Sequence, residues 1–140
     1  MDIDDPELAV LRVAWRSLSD HFEALSAGDL SPISEYWHPD LVIEHVDGWP
    51  IPGTYSGYDG FRRWFGETFG GDYAGYETRG YQVERIGDEV FVLADTAWTG
   101  RGGEELVVPK FAALFAFRER RICRMRVYLN ADAAVADAQA

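Results

Sequence analysis

Apolar residues recur along this chain at two different periods, and the change of period divides it. Leu8, Leu11, Trp15, Leu18, Phe22 and Leu25 fall at helical spacing, which marks one apolar face of an amphipathic helix. Asp5 before Pro6 supplies an N-cap and a first helical residue, and Gly28 closes the run, so the spacing predicts a helix over 6–25. The stretch SPISEYWHPD (31–40) opens on Ser-Pro and is halted by Pro39, which predicts a short second helix. LVIEHV (41–46) reads as a strand. After the turn-rich DGWPIPGTYSG (47–57), YDGFRRWFGETF (58–69) predicts a third helix with Phe61, Trp64, Phe65 and Phe69 as its stripe.

From Tyr76 onward the period falls to two. Segments 76–87, 88–101, 105–119 and 120–130 are four strand candidates at hairpin spacing. Gly87-Asp88, Gly102-Gly103 and the charged 118–121 stretch provide the turns. The tail ADAAVADAQA offers a last helical turn or a frayed end. The order is helix, helix, strand, helix, then four strands, without repeats or a linker. That order describes a single α+β domain over 1–140, with helices gathered on one side of a curved antiparallel sheet.

Composition narrows the function. The 140 residues are 47% hydrophobic and 14% aromatic, enough to fill a proper core. A formal net charge of −11 repels phosphate backbones and anionic lipid, so neither nucleic acid nor a membrane is expected as a partner. One cysteine, Cys123, cannot form an internal disulfide. The opening MDIDDPELAV has no basic or long apolar region, and no run approaches the roughly 18 apolar residues that span a bilayer. A soluble, cytoplasmic protein is the expectation.

The order of elements, with LSAGDLSPISEYWHPDLVIE, GTYSGYDGFRRWF and RMRVYLNADAA, resembles the SnoaL-like branch of the NTF2-like superfamily from about Leu8 to Ala134. That superfamily also holds ketosteroid isomerase, limonene epoxide hydrolase and scytalone dehydratase. The resemblance implies a conical barrel in which three helices and a curved sheet enclose one deep, largely apolar pocket. It also implies a homodimer joined through the outer sheet face, where Arg124, Arg126 and Tyr128 alternate. Fold alone does not fix chemistry. Matched to ketosteroid isomerase, His45 falls where that enzyme carries its aspartate base, and His21 near its oxyanion-hole tyrosine. The second oxyanion donor falls near Ala113. The catalytic set of limonene epoxide hydrolase falls near Ala94, Thr96 and Val127, so neither set is complete in this chain.

Alternation along the first strand raises the central question. Glu44 and His45 are adjacent, so they point to opposite faces, each in apolar company. With His45 inward, the residues in phase are Val92, Ala94, Thr96 and Trp98 on one strand, and Phe111, Ala113 and Phe115 on the next. Met125, Val127 and Leu129 follow on the last strand. Trp15, Leu18, Trp37, Trp49, Tyr55 and Trp64 join them from helices and loop. Such a pocket suits a flat, hydrophobic aromatic or polycyclic molecule with a carbonyl or hydroxyl. An imidazole titrates ordinarily near 6.5, so His45 is the candidate catalytic residue, a base or acid for proton transfer worth about 10²–10⁴-fold. The plainer reading is a core histidine satisfied by its neighbours.

His21 is read as flanking the pocket, and His38, beside Pro39, as steadying a turn. The three histidines have no metal-ligand spacing, so neither metal nor cofactor is expected. Asp95 and Lys110 are read as a cross-strand ion pair on the outer face, and Cys123 as buried and inert on the inner one. Three roles stay open. They are an isomerase, cyclase or dehydratase using His45 without cofactor, a binding module of the same fold, and an interaction protein working through its outer sheet.

Overall fold

The computed structural model describes residues 5–46, 53–69, 73–128 and 130–140, leaving aside the side chains of 80, 81 and 106–111. Asp5 caps α1 (Pro6–Asp20), its carboxylate accepting the Glu7 backbone N–H at 3.0 Å, with Pro6 following. At His21 the backbone leaves helical geometry (φ −116°, ψ 29°), and a separate short α2 (Phe22–Ser26) carries the apolar stripe onward. The single helix expected over 6–25 is therefore two.

Residues 31–36 form turns rather than a helix, with Ile33 and Tyr36 donating three residues back. Strand β1 (Trp37–His45) then starts earlier than expected. Pro39, which has no N–H, is tolerated there because residues 38–41 have no ladder partner in either neighbouring strand. The turn-rich segment supplies a short strand, β2 (Gly53–Ser56), and α3 (Gly57–Phe69) follows directly. Gly60 lets α3 lie hard on β2, since a Cβ there would stand 2.8 Å from the Tyr55 carbonyl carbon. The four expected strands are β3 (Tyr73–Ile86), β4 (Glu89–Gly100), β5 (Glu105–Arg118) and β6 (Arg121–Tyr128). The tail is a helix, α4 (Ala131–Gln139), capped by Asn130.

The six strands form one sheet in the order β2-β1-β6-β5-β4-β3. It is mixed rather than wholly antiparallel. The chain leaves β1 through β2, α3 and the β3–β5 meander, and returns beside β1 in the parallel sense as β6. The helices α1, α2 and α3 pack on the concave face over a core that includes Leu18, Ile43, Phe61, Phe65 and Met125. The convex face has a core of its own, in which Phe91, Ala112, Leu114 and Tyr128 are sealed by Ala134 and neighbouring residues of α4. Among the described residues no helix is long and apolar enough to cross a membrane.

Candidate functional site

Helices α1 and α3 and strands β1, β3, β4 and β6 leave a cavity of about 70 Å³ between them. Its apolar walls, among the described residues, are Trp15 and Leu18 of α1, Phe69 of α3, Trp98 of β4, and Met125 and Val127 of β6. The aromatic rings hold one another in place. Phe69 packs at 4.8 Å from Trp98 and 5.3 Å from Tyr76, while Trp15 meets the buried Phe115 edge-on at 6.0 Å. The volume is several times what one water needs yet well below the roughly 300–1,000 Å³ of drug-sized pockets. It is also smaller than the roughly 150 Å³ of an apolar cavity that admits benzene, so a ring-sized occupant requires its walls to move apart.

Five groups give the cavity its polarity: His45, Trp64, Thr68, Tyr76 and Thr96. Alternation in β1 sends His45 inward and Glu44 outward, where Glu44 accepts from Arg124 Nε at 3.1 Å. Trp64 Nε1–H donates to His45 Nε2 at 3.0 Å. An indole nitrogen can only donate, so His45 Nε2 is the acceptor and the neutral ring carries its proton on Nδ1. Thr68 stands one helical turn beyond Trp64 on the same face of α3. Its hydroxyl, like those of Tyr76 and Thr96, is buried with no hydrogen-bond partner among the described residues. Burial, followed by the negative charge of Asp20, drives the Tyr76 phenol far above its ordinary range, so it stays a neutral O–H. Unpartnered buried hydroxyls are costly, and three of them converge here. No arginine or lysine appears among the described lining residues, and none of their side chains forms a cluster able to hold a metal ion.

Of the residues singled out from sequence, His45, Trp64, Thr96, Trp98, Met125 and Val127 line this cavity, with Trp15 and Leu18. Four do not. His21 is exposed, because the helix breaks at that residue and turns its side chain out of the stripe. Trp37 is fully buried against Phe61 at the start of β1, short of the cavity. Tyr55 is buried too, its ring edge-on to His45 at 5.7 Å and beneath the Arg63 guanidinium, its hydroxyl donating to Glu67. Phe115 lies behind Trp15, within the core. The side chains of Phe111 and Lys110, and residues Trp49 and Leu129, fall outside the described residues, so the proposed Asp95–Lys110 pair does too.

Other expectations shift. His38 lies within β1 and not in a turn, buried, with its Nδ1 accepting the Asp40 N–H at 3.0 Å. Cys123 is not on the inner face. It is the extra residue of a bulge in β6 and half-buried, lining an outer groove with Val42, Glu44 and Phe117. Burial raises its thiol pKa. Tyr128, expected among dimer contacts, is completely buried under α4 and bonds to Asp137 at 2.7 Å. Thr68, Phe69 and Tyr76 are lining residues that phasing from His45 did not reach.

Known proteins can now be set beside this site. A family model for the SnoaL-like domain matches residues 18–125. Among solved structures, TerC co-crystallised with polyporic acid superposes with a TM-score of 0.67 at 18% identity, over 97% of this chain and 100% of that one. An NTF2-like protein from Anabaena variabilis ATCC 29413 gives 0.69 at 15% identity, over 93% of each chain. A protein from Jannaschia sp. CCS1, classed as a SnoaL-like polyketide cyclase, gives 0.63 at 18% identity, over 100% of this chain and 98% of that one. At such identities these likenesses establish a shared fold and no chemistry. No curated protein matches the chain. With the family model spanning well over half of its length, the chain belongs to the SnoaL-like domain family.

Proposed function

We propose that this protein binds a small, uncharged, hydrophobic molecule carrying carbonyl or hydroxyl oxygen, and moves a proton on it through His45 without a cofactor. An isomerisation, cyclisation or dehydration is the kind of reaction meant. The observation that carries the reading is one apolar, aromatic cavity holding an imidazole and three unpartnered hydroxyls. A folded chain does not gain by burying such groups unpaired, and a ligand oxygen would pair them. TerC, which shares this fold, was co-crystallised with polyporic acid, and this supports a small-molecule occupant.

The Trp64 indole caps the basic nitrogen of His45. For His45 to take a proton from a ligand, that bond must open first. The same bond favours a second reading, a binding module in which His45 only orients the ligand. Hydrogen–deuterium exchange α to the carbonyl of acetophenone, followed by NMR with and without protein, separates the two. Exchange accelerated by the wild type and lost in His45→Ala, with binding retained, supports catalysis. Binding without accelerated exchange leaves the module. No binding of any oxygenated aromatic compound defeats both. We further propose that two copies pair through the outer sheet face. Tyr128 is covered by α4, so we place that contact at the groove around Val42, Glu44, Phe117 and Arg124.

A further inference from the structure

The polar groups of the cavity are not clustered at one spot. His45 sits on β1, while Tyr76 and Thr96 sit on β3 and β4, and the sheet order places β6 and β5 between them. Three strand spacings to Thr96 and four to Tyr76 amount to about 14 and 19 Å along the sheet, shortened across its concave face. On the far side, Tyr76 is paired with Trp98 and Thr78 with Thr96. Tyr76 and Thr96 are thus diagonal neighbours on one face, a distance that a long aromatic side chain can bridge. Two threonines therefore face each other across this strand pair, and they differ. The Thr78 hydroxyl accepts the Trp15 indole N–H at 2.6 Å, whereas the Thr96 hydroxyl has no partner. Met125 and Val127, on β6 between the two ends, are apolar, and Phe69 and Trp98 pack around Tyr76 at the far end.

From this arrangement we infer that the cavity recognises its ligand at two ends: one oxygen near His45, and a second, non-reacting oxygen held by Tyr76 and Thr96. The inference rests on the small-molecule reading above and narrows its substrate class. The fitting compound is neutral, built on one ring, with oxygen functions at opposite ends, as in a para-hydroxyaryl ketone. Each hydroxyl can donate to a ketone or accept from a phenol, so the far pole tolerates either. An anionic group has no countercharge among the described lining residues and would meet a desolvation cost. Tyr76 and Thr96 are then positioning residues, and the group they hold is remote from the proton transfer.

The test compares 4-hydroxyacetophenone, acetophenone, phenol and 4-hydroxybenzoate at pH 7, by NMR titration of the tryptophan indole N–H signals. Trp15, Trp64 and Trp98 report on the cavity directly. The expected order puts 4-hydroxyacetophenone about tenfold tighter than either single-function compound, the value of one well-made buried hydrogen bond. Thr96→Val and Tyr76→Phe should each remove most of that advantage, costing 4-hydroxyacetophenone more affinity than acetophenone. The two-ended assignment is overturned if 4-hydroxyacetophenone binds no tighter than both single-function probes, or if 4-hydroxybenzoate matches it. Either result leaves the cavity reading standing. A titration in which none of the four moves any indole signal overturns the cavity reading itself. The wild-type ranking is decisive by itself, so a variant that fails to fold does not shelter the proposal.

Discussion

Replacing Thr96 by valine removes one hydroxyl and little else. Both residues are β-branched, so the side-chain stiffness and the fit to a strand are kept. Thr96 is 3% exposed and its Oγ1 has no partner among the described residues. An unpaired buried hydroxyl costs about 1–3 kcal/mol, and the methyl that replaces it adds about 0.8 kcal/mol of apolar burial. The cavity has room for water, and ordered water offsets part of the first figure. T96V should therefore stabilise the ligand-free protein by about 1–2 kcal/mol, or raise Tm by about 3–6 °C for a chain of this size. Urea unfolding and calorimetry without ligand measure it. Thr78→Val is the internal control, because that hydroxyl accepts from Trp15. Its loss should cost about 1–2 kcal/mol, since the indole N–H loses this acceptor. The same substitution at two facing residues is thus predicted to act in opposite directions. If T96V destabilises the protein by 1 kcal/mol or more, the Thr96 hydroxyl is structural and the argument from unpaired groups collapses.

Trp64→Phe removes the donor that holds His45 Nε2, so ¹⁵N NMR of the imidazole should show the proton leaving its Nδ1 position for a mixture of tautomers; an unchanged spectrum would mean that Trp64 does not set the tautomer. The β5–β6 turn places Glu119 and Arg120 at φ 55° and 62°, left-handed values that side chains resist. Replacing the pair by Asn-Gly, the residues such hairpin turns prefer, should raise stability by about 1 kcal/mol in urea melts, and no gain would count against strain there. The hydrogen bond from Arg85, reinforced by the Glu7 backbone N–H, holds the Asp5 carboxyl below its ordinary 3.8. A carboxyl depressed in the folded state contributes stability above its unfolded pKa and loses it as pH falls through the folded value. Asp5→Asn keeps the cap, so its stability deficit relative to wild type should be constant from pH 7 to about 4 and shrink below that. A deficit that widens in acid would reverse the sign.

Much of the fold was legible because the chain keeps its periods. Asp5-Pro6, the stripe of α3 and the hairpin glycines each have a local cause and lie where that cause puts them. What the pattern hid were the departures from local rule. The apolar face continues unbroken past His21, so periodicity could not register a break made by one residue's dihedrals. The parallel return of β6 beside β1 is a long-range pairing with no local signature. The outer core under α4 did leave a trace. Residues 90–94 are apolar without alternation, the mark of a strand covered on both faces. The alanine-rich tail is the element that covers it.

The site divides along the same line. His45 could be placed because β1 is regular from Val42 to its end, and its register with β6 carries Met125 and Val127 inward beside it. Aromatic character overreached at Trp37 and Tyr55, since a large ring on a buried face serves the core more often than a pocket. Tyr76 was missed for a sharper reason. An unbroken β3–β4 hairpin, extended from the Ile86–Glu89 pair, would set Glu77 opposite Trp98. The bulge between Thr78 and Gly80 moves the ladder by one residue and sets Tyr76 there instead. A mid-strand glycine, Gly80, was the available signal. A second irregularity lies between Ala94 and Thr96 on the other side of β4. Bulges interrupt the ladder and re-aim side chains. Both fall where the sheet lines the cavity, and they govern which residues face inward at Tyr76, Thr78 and Thr96. The sheet is irregular on both sides of β4 where the unpaired hydroxyls are displayed, the kind of local departure expected of a surface shaped for a ligand rather than for its own packing.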